Sequence, residues 1–381
     1  MKNNRAALFK ALTFIVLACF FLMVFSLYYT VKAYDFYRRN RQDYHGDSFI
    51  REDALIGFSQ KGGIFMEHIT APAYRVYTDS RGARVSESRK GSAAPGHVDI
   101  LATGCSFTWG HGVDDCDTFC RQIEKKTGLS VYNVGLASYG TTAALLSIDR
   151  FSDLKPGIVL YTFINDQVQR SMLPGAPCLS PYCRPVAFVD FDSDGNPFIA
   201  KPLSASDDYF RYMEEVMLDH SFGLKDIYWA VKRDMLFLAK KDRATLEKKY
   251  MEKAGDETCR RRAMEFLMDR MVARCRDMHA RLVVCYVPYM GDDPSVPGVD
   301  GPDKAFLSAI KKHREARSLY FADTTGDFEK YIREKGKKPL MAGGVDGHPS
   351  PEGHRIIAEA LIPLIRNIRE KGAIQDSHRG P

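Results

Sequence analysis

Apolar residues along this chain fall into one long run and a series of short ones, and the two sizes predict different elements. Between Lys10 and Lys32 lie 21 residues without a charge, ALTFIVLACFFLMVFSLYYTV. As a helix rising ~1.5 Å per residue they span roughly 31 Å, enough to cross the hydrocarbon of a bilayer. Val31-Lys32-Ala33 weakly resembles a leader cleavage site, but a secretory leader's apolar region usually has only about 7 to 15 residues. An uncleaved membrane helix over residues 11–31 is therefore expected, behind a short tail at 1–10, with Tyr28 and Tyr29 at an interface.

The short runs begin at Val98. VDILAT (98–103), SVYNVG (130–135), GIVLYTF (157–163), RLVVCYVP (281–288) and SLYFAD (318–323) have the length and content of buried strands. Stretches of helical character separate most of them, so the pattern predicts an α/β fold with a parallel sheet and helices on both faces. Ile356, Ile357, Ala360, Leu361, Leu364 and Ile365 recur at helical spacing behind Ser350-Pro351-Glu352, a suitable helix start. That helix should close one flank of the sheet.

Three other regions depart from the alternation. Residues 32–96 read as a charged, aromatic juxtamembrane stretch followed by a small β-rich lead-in. Residues 170–280 read as an insertion, with a Pro- and Cys-containing loop, the turn DSDGNP and charged amphipathic helix, placed either as a lid or as surface helices on the body. Residues 373–381 read as a flexible tail after a main domain over 97–372. No internal repeat or low-complexity tract is present.

Composition adds little to this division. The chain has 381 residues and a formal charge of +6, its 54 basic residues interspersed with 48 acidic ones. No basic stripe argues for nucleic acid. Lys2, Arg5 and Lys10 precede the long apolar run and Lys32, Arg38, Arg39 and Arg41 follow it, so charge does not set its orientation. The expected arrangement is a short tail inside and the large domain on the extracytoplasmic side. Cys178 and Cys183 bracket a loop where a local disulfide is plausible in an oxidising compartment. Cys116 and Cys120 are four apart, on one face if the segment is helical, without the further ligands of a zinc site. Cys259, Cys275 and Cys285 read as core fillers.

Candidate chemistry gathers where parallel strands end, because ligands of open α/β sheets bind beyond the carboxyl ends of strands. Ser106 follows the first such strand, Gly135 the second and Asn165-Asp166 the third, while Asp346 and His348 precede the last helix. A serine hydroxyl needs a base, a carboxylate to orient that base and donors for an oxyanion. All of these residue types are available at one rim.

At these positions the chain resembles the SGNH hydrolases, also called the GDSL esterase/lipase family. GCSFTWG is similar to the family's nucleophile block, YNVGLASYG to its glycine block, FIND to its Asn-Asp block and VDGHPSPEGH to its histidine block. All four stand in order across about residues 98–370. The resemblance implies a three-layer αβα sandwich with a flavodoxin-like parallel sheet, Ser106 as nucleophile and His348 as base. It also implies an oxyanion hole from the N–H of Ser106, the N–H of Gly135 and the amide of Asn165.

Two positions depart from the family pattern. Cys105 stands where the family usually has Asp; as a nucleophile it is a poor candidate, since successive residues at a strand end point in opposite directions. The usual acid position, three before the histidine, is Val345, and the carboxylate is Asp346, two before; Asp323 is the fallback. Cys105, His111, Asp166 and Arg170 are candidates for the pocket. His354 and the cluster Asp114, Asp115 and Asp117 read as solvated loop charges, and no metal set is expected.

The implied activity is ester cleavage through an acyl-enzyme on Ser106, with no cofactor. The expected partners are the membrane and an acylated small molecule, glycan or lipid, O-acyl groups on envelope or exported glycan being consistent with a tethered external domain. An O-acyltransferase of polysaccharide and a catalytically silent binding protein are the alternatives.

Overall fold

The computed structural model describes residues 2–377 apart from 41–43, 47–49, 69–71, 177–183, 203–221, 240, 292, 294, 296–297 and 345. The proposed Cys178–Cys183 bridge lies outside the described residues.

The chain opens with a helix over Lys2–Asn40. Among the described residues this is the one helix long and apolar enough to cross a membrane, over Phe9–Tyr34, and its most apolar window has no buried residue. Six short strands follow: β1 (Tyr44–Gly46), β2 (Ile50–Asp53), β3 (Gly57–Gln60), β4 (Phe65–His68), β5 (Tyr74–Thr78) and β6 (Arg84–Val85). Three strands with intervening helices come next: β7 (Ile100–Gly104), β8 (Val131–Asn133) and β9 (Ile158–Phe163). The region 170–280 contributes β10 (Gly175–Ala176), β11 (Arg184–Pro185), β12 (Phe188–Phe191) and β13 (Pro197–Ala200) before its helices. Then come β14 (Arg281–Tyr286), β15 (Leu319–Asp323), β16 (Met341–Ala342) and β17 (Asp346–Pro349), and the last helix runs Pro351–Ser377.

Among the described residues the main sheet has nine strands in the order β1-β4-β5-β6-β8-β7-β9-β14-β15. Its five last-named members are parallel. Counted among themselves in chain order they run 2-1-3-4-5, the flavodoxin-like order that the motifs imply. Of the lead-in strands, β6, β5, β4 and β1 extend this same sheet antiparallel from its β8 edge, joined through the single register pair Arg84↔Asn133, while β2 and β3 pair with each other in a separate hairpin.

Alternation along the central strands builds two cores, because successive residues point to opposite faces. Val159, Tyr161 and Phe163 of β9 and Leu282, Val284 and Tyr286 of β14 pack under helices Thr141–Arg150, Glu257–Asp277 and Lys304–Glu315. Ile158 and Leu160 of β9, with Val283 and Cys285 of β14, pack under Phe119–Thr127, Thr325–Lys335 and the last helix. Two helical layers therefore enclose the parallel sheet.

The insertion proves to be partly body. Met264, Leu267, Met268 and Met271 of Glu257–Asp277 are fully buried in the first core, so the end of region 170–280 is the crossover between β9 and β14. Cys116 and Cys120 also differ from a shared helix face: Cys116 lies in the turn Asp115–Asp117 and Cys120 in the following helix. Cys275 and Cys285 are buried fillers, whereas Cys259 is half-buried.

Candidate active site

The chain turns sharply after β7. Gly104 has φ +149°, and a Cβ there would meet Thr108 Oγ1 at 2.2 Å and the Thr162 carbonyl at 2.7 Å, so only glycine fits. Cys105 then precedes a helix of one turn, Ser106–Trp109. The Ser106 N–H stands at the start of that turn, where a helix has no internal acceptor to offer.

The turn is gripped from the seam of the sheet. Arg84 donates from Nη1 to the carbonyls of Trp109 (2.6 Å) and Gly110 (2.7 Å), and from Nη2 to Val113 (2.5 Å). Its register partner Asn133 donates from Nδ2 to the Thr108 carbonyl at 2.7 Å. A buried guanidinium suits this place because carbonyls at a helix C-terminus carry partial negative charge. Burial nonetheless pulls the Arg84 pKa below its ordinary value.

Ser106 and His348 meet across the rim, with Ser106 Oγ 2.8 Å from His348 Nε2. His348 Nδ1 stands 2.6 Å from Asp346 Oδ1, which also accepts the His348 backbone N–H at 2.9 Å. The short spacing works because Asp346 and His348 occupy β17, where residues two apart share a face. Between them, Gly347 lets the Tyr289 segment approach; a Cβ would lie 2.5 Å from the Tyr289 ring. Phe107 flanks the His348 ring at 5.1 Å.

A second histidine completes the cluster. His111 Nε2 lies 3.5 Å from Asp346 Oδ2, its Nδ1 is 2.9 Å from the Tyr74 hydroxyl, and its ring centroid is 4.4 Å from that of His348. Burial lowers the His111 pKa, with Asp346 opposing and His348 adding to the effect. Burial disfavours ionisation of Asp346, yet the His111 and His348 imidazoles outweigh it and hold the carboxyl far below its usual range.

His111, Asp346 and His348 place three ligand-type atoms within 4.8 Å of one another. The sequence reading expected no such metal-capable set. Their contacts divide the atoms differently, His348 Nδ1 facing the carboxylate and Nε2 the serine.

Of the expected oxyanion donors, the Gly135 N–H donates to Asn133 Oδ1 at 3.0 Å, and Asn165 Nδ2 donates to the Gly301 carbonyl at 3.0 Å. The Asp303 N–H donates to Asn165 Oδ1 at 2.8 Å, fixing which end of the amide is which. An amide nitrogen carries two hydrogens, so one donation to Gly301 does not exhaust Asn165.

Other candidates have structural duties. Cys105 is fully buried in the second core. Asp166 and Arg170 pair with each other at 3.0 Å along one helix. Asp323 accepts the Thr325 N–H and hydroxyl at the next helix start, whereas Asp346 is the carboxylate that meets His348 Nδ1. Asp115 pairs with Arg121, and Asp114 accepts the Arg75 N–H. His354 is not a solvated loop group: it is fully buried, accepts the Phe119 N–H and stacks on that ring.

Tyr74, Arg84 and Asn133 were missed as parts of the site, and His111 was read only as pocket lining. The sequence held one faint signal for a site residue, the amide of Asn133 inside the apolar run 130–135.

No family model and no curated protein matches the chain. Solved structures similar to it include LAE5, an alpha/beta hydrolase enzyme from the metagenome of Lake Arreo, Spain (12% identity, 72% of this chain and 98% of that one, TM-score 0.38). A member of the lipolytic protein G-D-S-L family from Veillonella parvula DSM 2008 has 10% identity over 70% and 96% of the two chains, TM-score 0.33. The acetylxylan esterase Axe2 from Geobacillus stearothermophilus, in a catalytic mutant, has 14% identity over 72% and 96%, TM-score 0.34. Likeness this distant adds nothing to the site's own geometry.

Proposed function

We propose that the chain is a membrane-held serine esterase of the SGNH type, cleaving carboxylic esters through an acyl-enzyme on Ser106. The observation that carries this reading is the 2.8 Å contact between Ser106 Oγ and His348 Nε2, backed by Asp346.

In this reaction Ser106 Oγ attacks the acyl carbon while His348 Nε2 takes its proton, and Asp346 stabilises the imidazolium. The oxyanion is received by the Ser106 N–H, the second hydrogen of Asn165 and the Gly135 N–H, shared with or turned from Asn133. The imidazolium then protonates the departing alkoxide. A water enters, gives a proton to His348 and attacks the acyl carbon, and the acid leaves as Ser106 recovers its hydrogen.

The Phe9–Tyr34 helix would hold this domain on the extracytoplasmic face, where O-acyl groups of envelope or exported glycan are the substrates we favour. The test is hydrolysis of a short aryl acetate by the full chain in detergent. Ser106→Ala and His348→Ala should each lower kcat by roughly 10⁴-fold or more, and Asn165→Ala by about 10²- to 10³-fold. Hydrolysis equal in all three variants would reject the reading.

A further inference from the structure

We propose that a second element of this protein, the helix Leu224–Ala239, lies in the headgroup layer of the bilayer that the first helix crosses. This rests on the membrane-held reading above and adds a lipid-binding surface to it.

The packing fixes the depth. Tyr29 and Ala33, near the end of the apolar span, are buried together with Ala230, and Phe222, Ile227 and Val231 pack against them. Tyr34, at the end of the span, meets the Phe222 ring edge-on at 5.5 Å. Tyr29 is five residues from that end, about 7 Å along a helix, which is the thickness of one interfacial layer. If Phe9–Tyr34 crosses the membrane, whatever packs on Tyr29 and Ala33 stands at the boundary of hydrocarbon and headgroups.

The exposed face suits that boundary. Leu224 is 85% exposed and Tyr228, one turn later, 56%. A helix lying in the interface presents apolar and aromatic groups to the acyl boundary while lysines reach the headgroups.

The two helices also share a local pattern. In the first, Tyr28 and Tyr29 are followed by Lys32, whose Nζ lies 5.5 and 6.0 Å from their ring centroids. In the second, Tyr228 and Trp229 are followed by Lys232, whose Nζ lies 5.7 and 4.7 Å from theirs. Aromatic rings with a lysine folded over them form an amphipathic tip, apolar below and charged above. On each helix the first ring, Tyr28 or Tyr228, is exposed and the second, Tyr29 or Trp229, is buried in the protein, so the exposed ring and the lysine form the outward side of the tip. A lipid surface carrying anionic headgroups is therefore the partner for this face.

The experiment uses the full chain reconstituted in phosphatidylcholine/phosphatidylglycerol vesicles, with photoreactive p-benzoylphenylalanine replacing Leu224, Tyr228, Phe21 or Phe198 in turn. Phe21 reports the anchor; Phe198, exposed on β13, reports water. Lipid adducts at 224 and 228, each at least about tenfold above the yield at 198, are the expected result for an interfacial helix. Lipid adducts at 21 with none at 224 and 228 would overturn the proposal and leave the anchor standing. Cross-links from 228 to a second protein chain instead of lipid would overturn it in favour of a protein partner. Absence of adducts at 21 as well would overturn both the anchor and the interfacial helix.

Discussion

His111 and Asp346 face each other at 3.5 Å across the back of the candidate triad, His111 Nε2 to the carboxylate oxygen that His348 leaves unused. The other ring nitrogen of His111, Nδ1, lies 2.9 Å from the Tyr74 hydroxyl, so the ring is held between the two. Burial disfavours the charged form of His111, which faces Asp346 from the opposite side to His348.

Removing His111 should loosen Asp346 and leave its charge less shared. His111→Leu is expected to lower kcat/KM by about tenfold and to move the acidic limb of its pH profile upward, since a less shared carboxylate favours protonation of the base. His111→Gln, which keeps a donor, should restore most of both. A pH profile unchanged in His111→Leu would show that the residue only fills space.

Arg84 has a different role, holding carbonyls at and just after the turn Ser106–Trp109 from across the parallel–antiparallel seam. Arg84→Met strands buried acceptors, which cost about 1 to 3 kcal/mol each, so a loss of roughly 3 kcal/mol is expected in urea unfolding. Arg84→Lys should recover little, because one ammonium cannot reproduce the guanidinium fork. Unchanged unfolding midpoints would contradict this role.

His354 makes a pH prediction. Burial, aided by the nearby positive groups, pushes its pKa down to about 3 in the folded chain, against about 6.5 when unfolded. Between these values the unfolded state binds the extra proton, so stability falls as pH drops from 6.5 toward 3. This one group contributes at most about 1.4 kcal/mol per pH unit in that window. His354→Gln should flatten the slope of unfolding free energy against pH there, and an identical slope would show that other groups carry it.

The five parallel strands were legible because strands buried on both faces read as continuous apolar runs. Ser106, Asp346 and His348 were legible because each sits where such a strand ends or in the hairpin that returns to that rim. That the β-rich lead-in continues this sheet was not, since β6 has two residues and joins β8 through the one pair Arg84↔Asn133. Nothing local marks such a junction. The role of His111 was hidden likewise: its contact with Tyr74 spans 37 residues and that with Asp346 spans 235, and only the fold brings them together. His354 looked like a polar loop residue because its neighbours are polar in sequence, while its partner Phe119 lies on another helix.

The most direct measurement is covalent labelling of the full chain with a fluorophosphonate, followed by peptide mass spectrometry, beside Ser106→Ala and His348→Ala. One adduct on Ser106, absent in Ser106→Ala and formed at least about 10²-fold more slowly in His348→Ala, is expected of a serine activated by its base. An unlabelled Ser106 in the wild type, or labelling at the same rate without His348, would contradict the activated nucleophile.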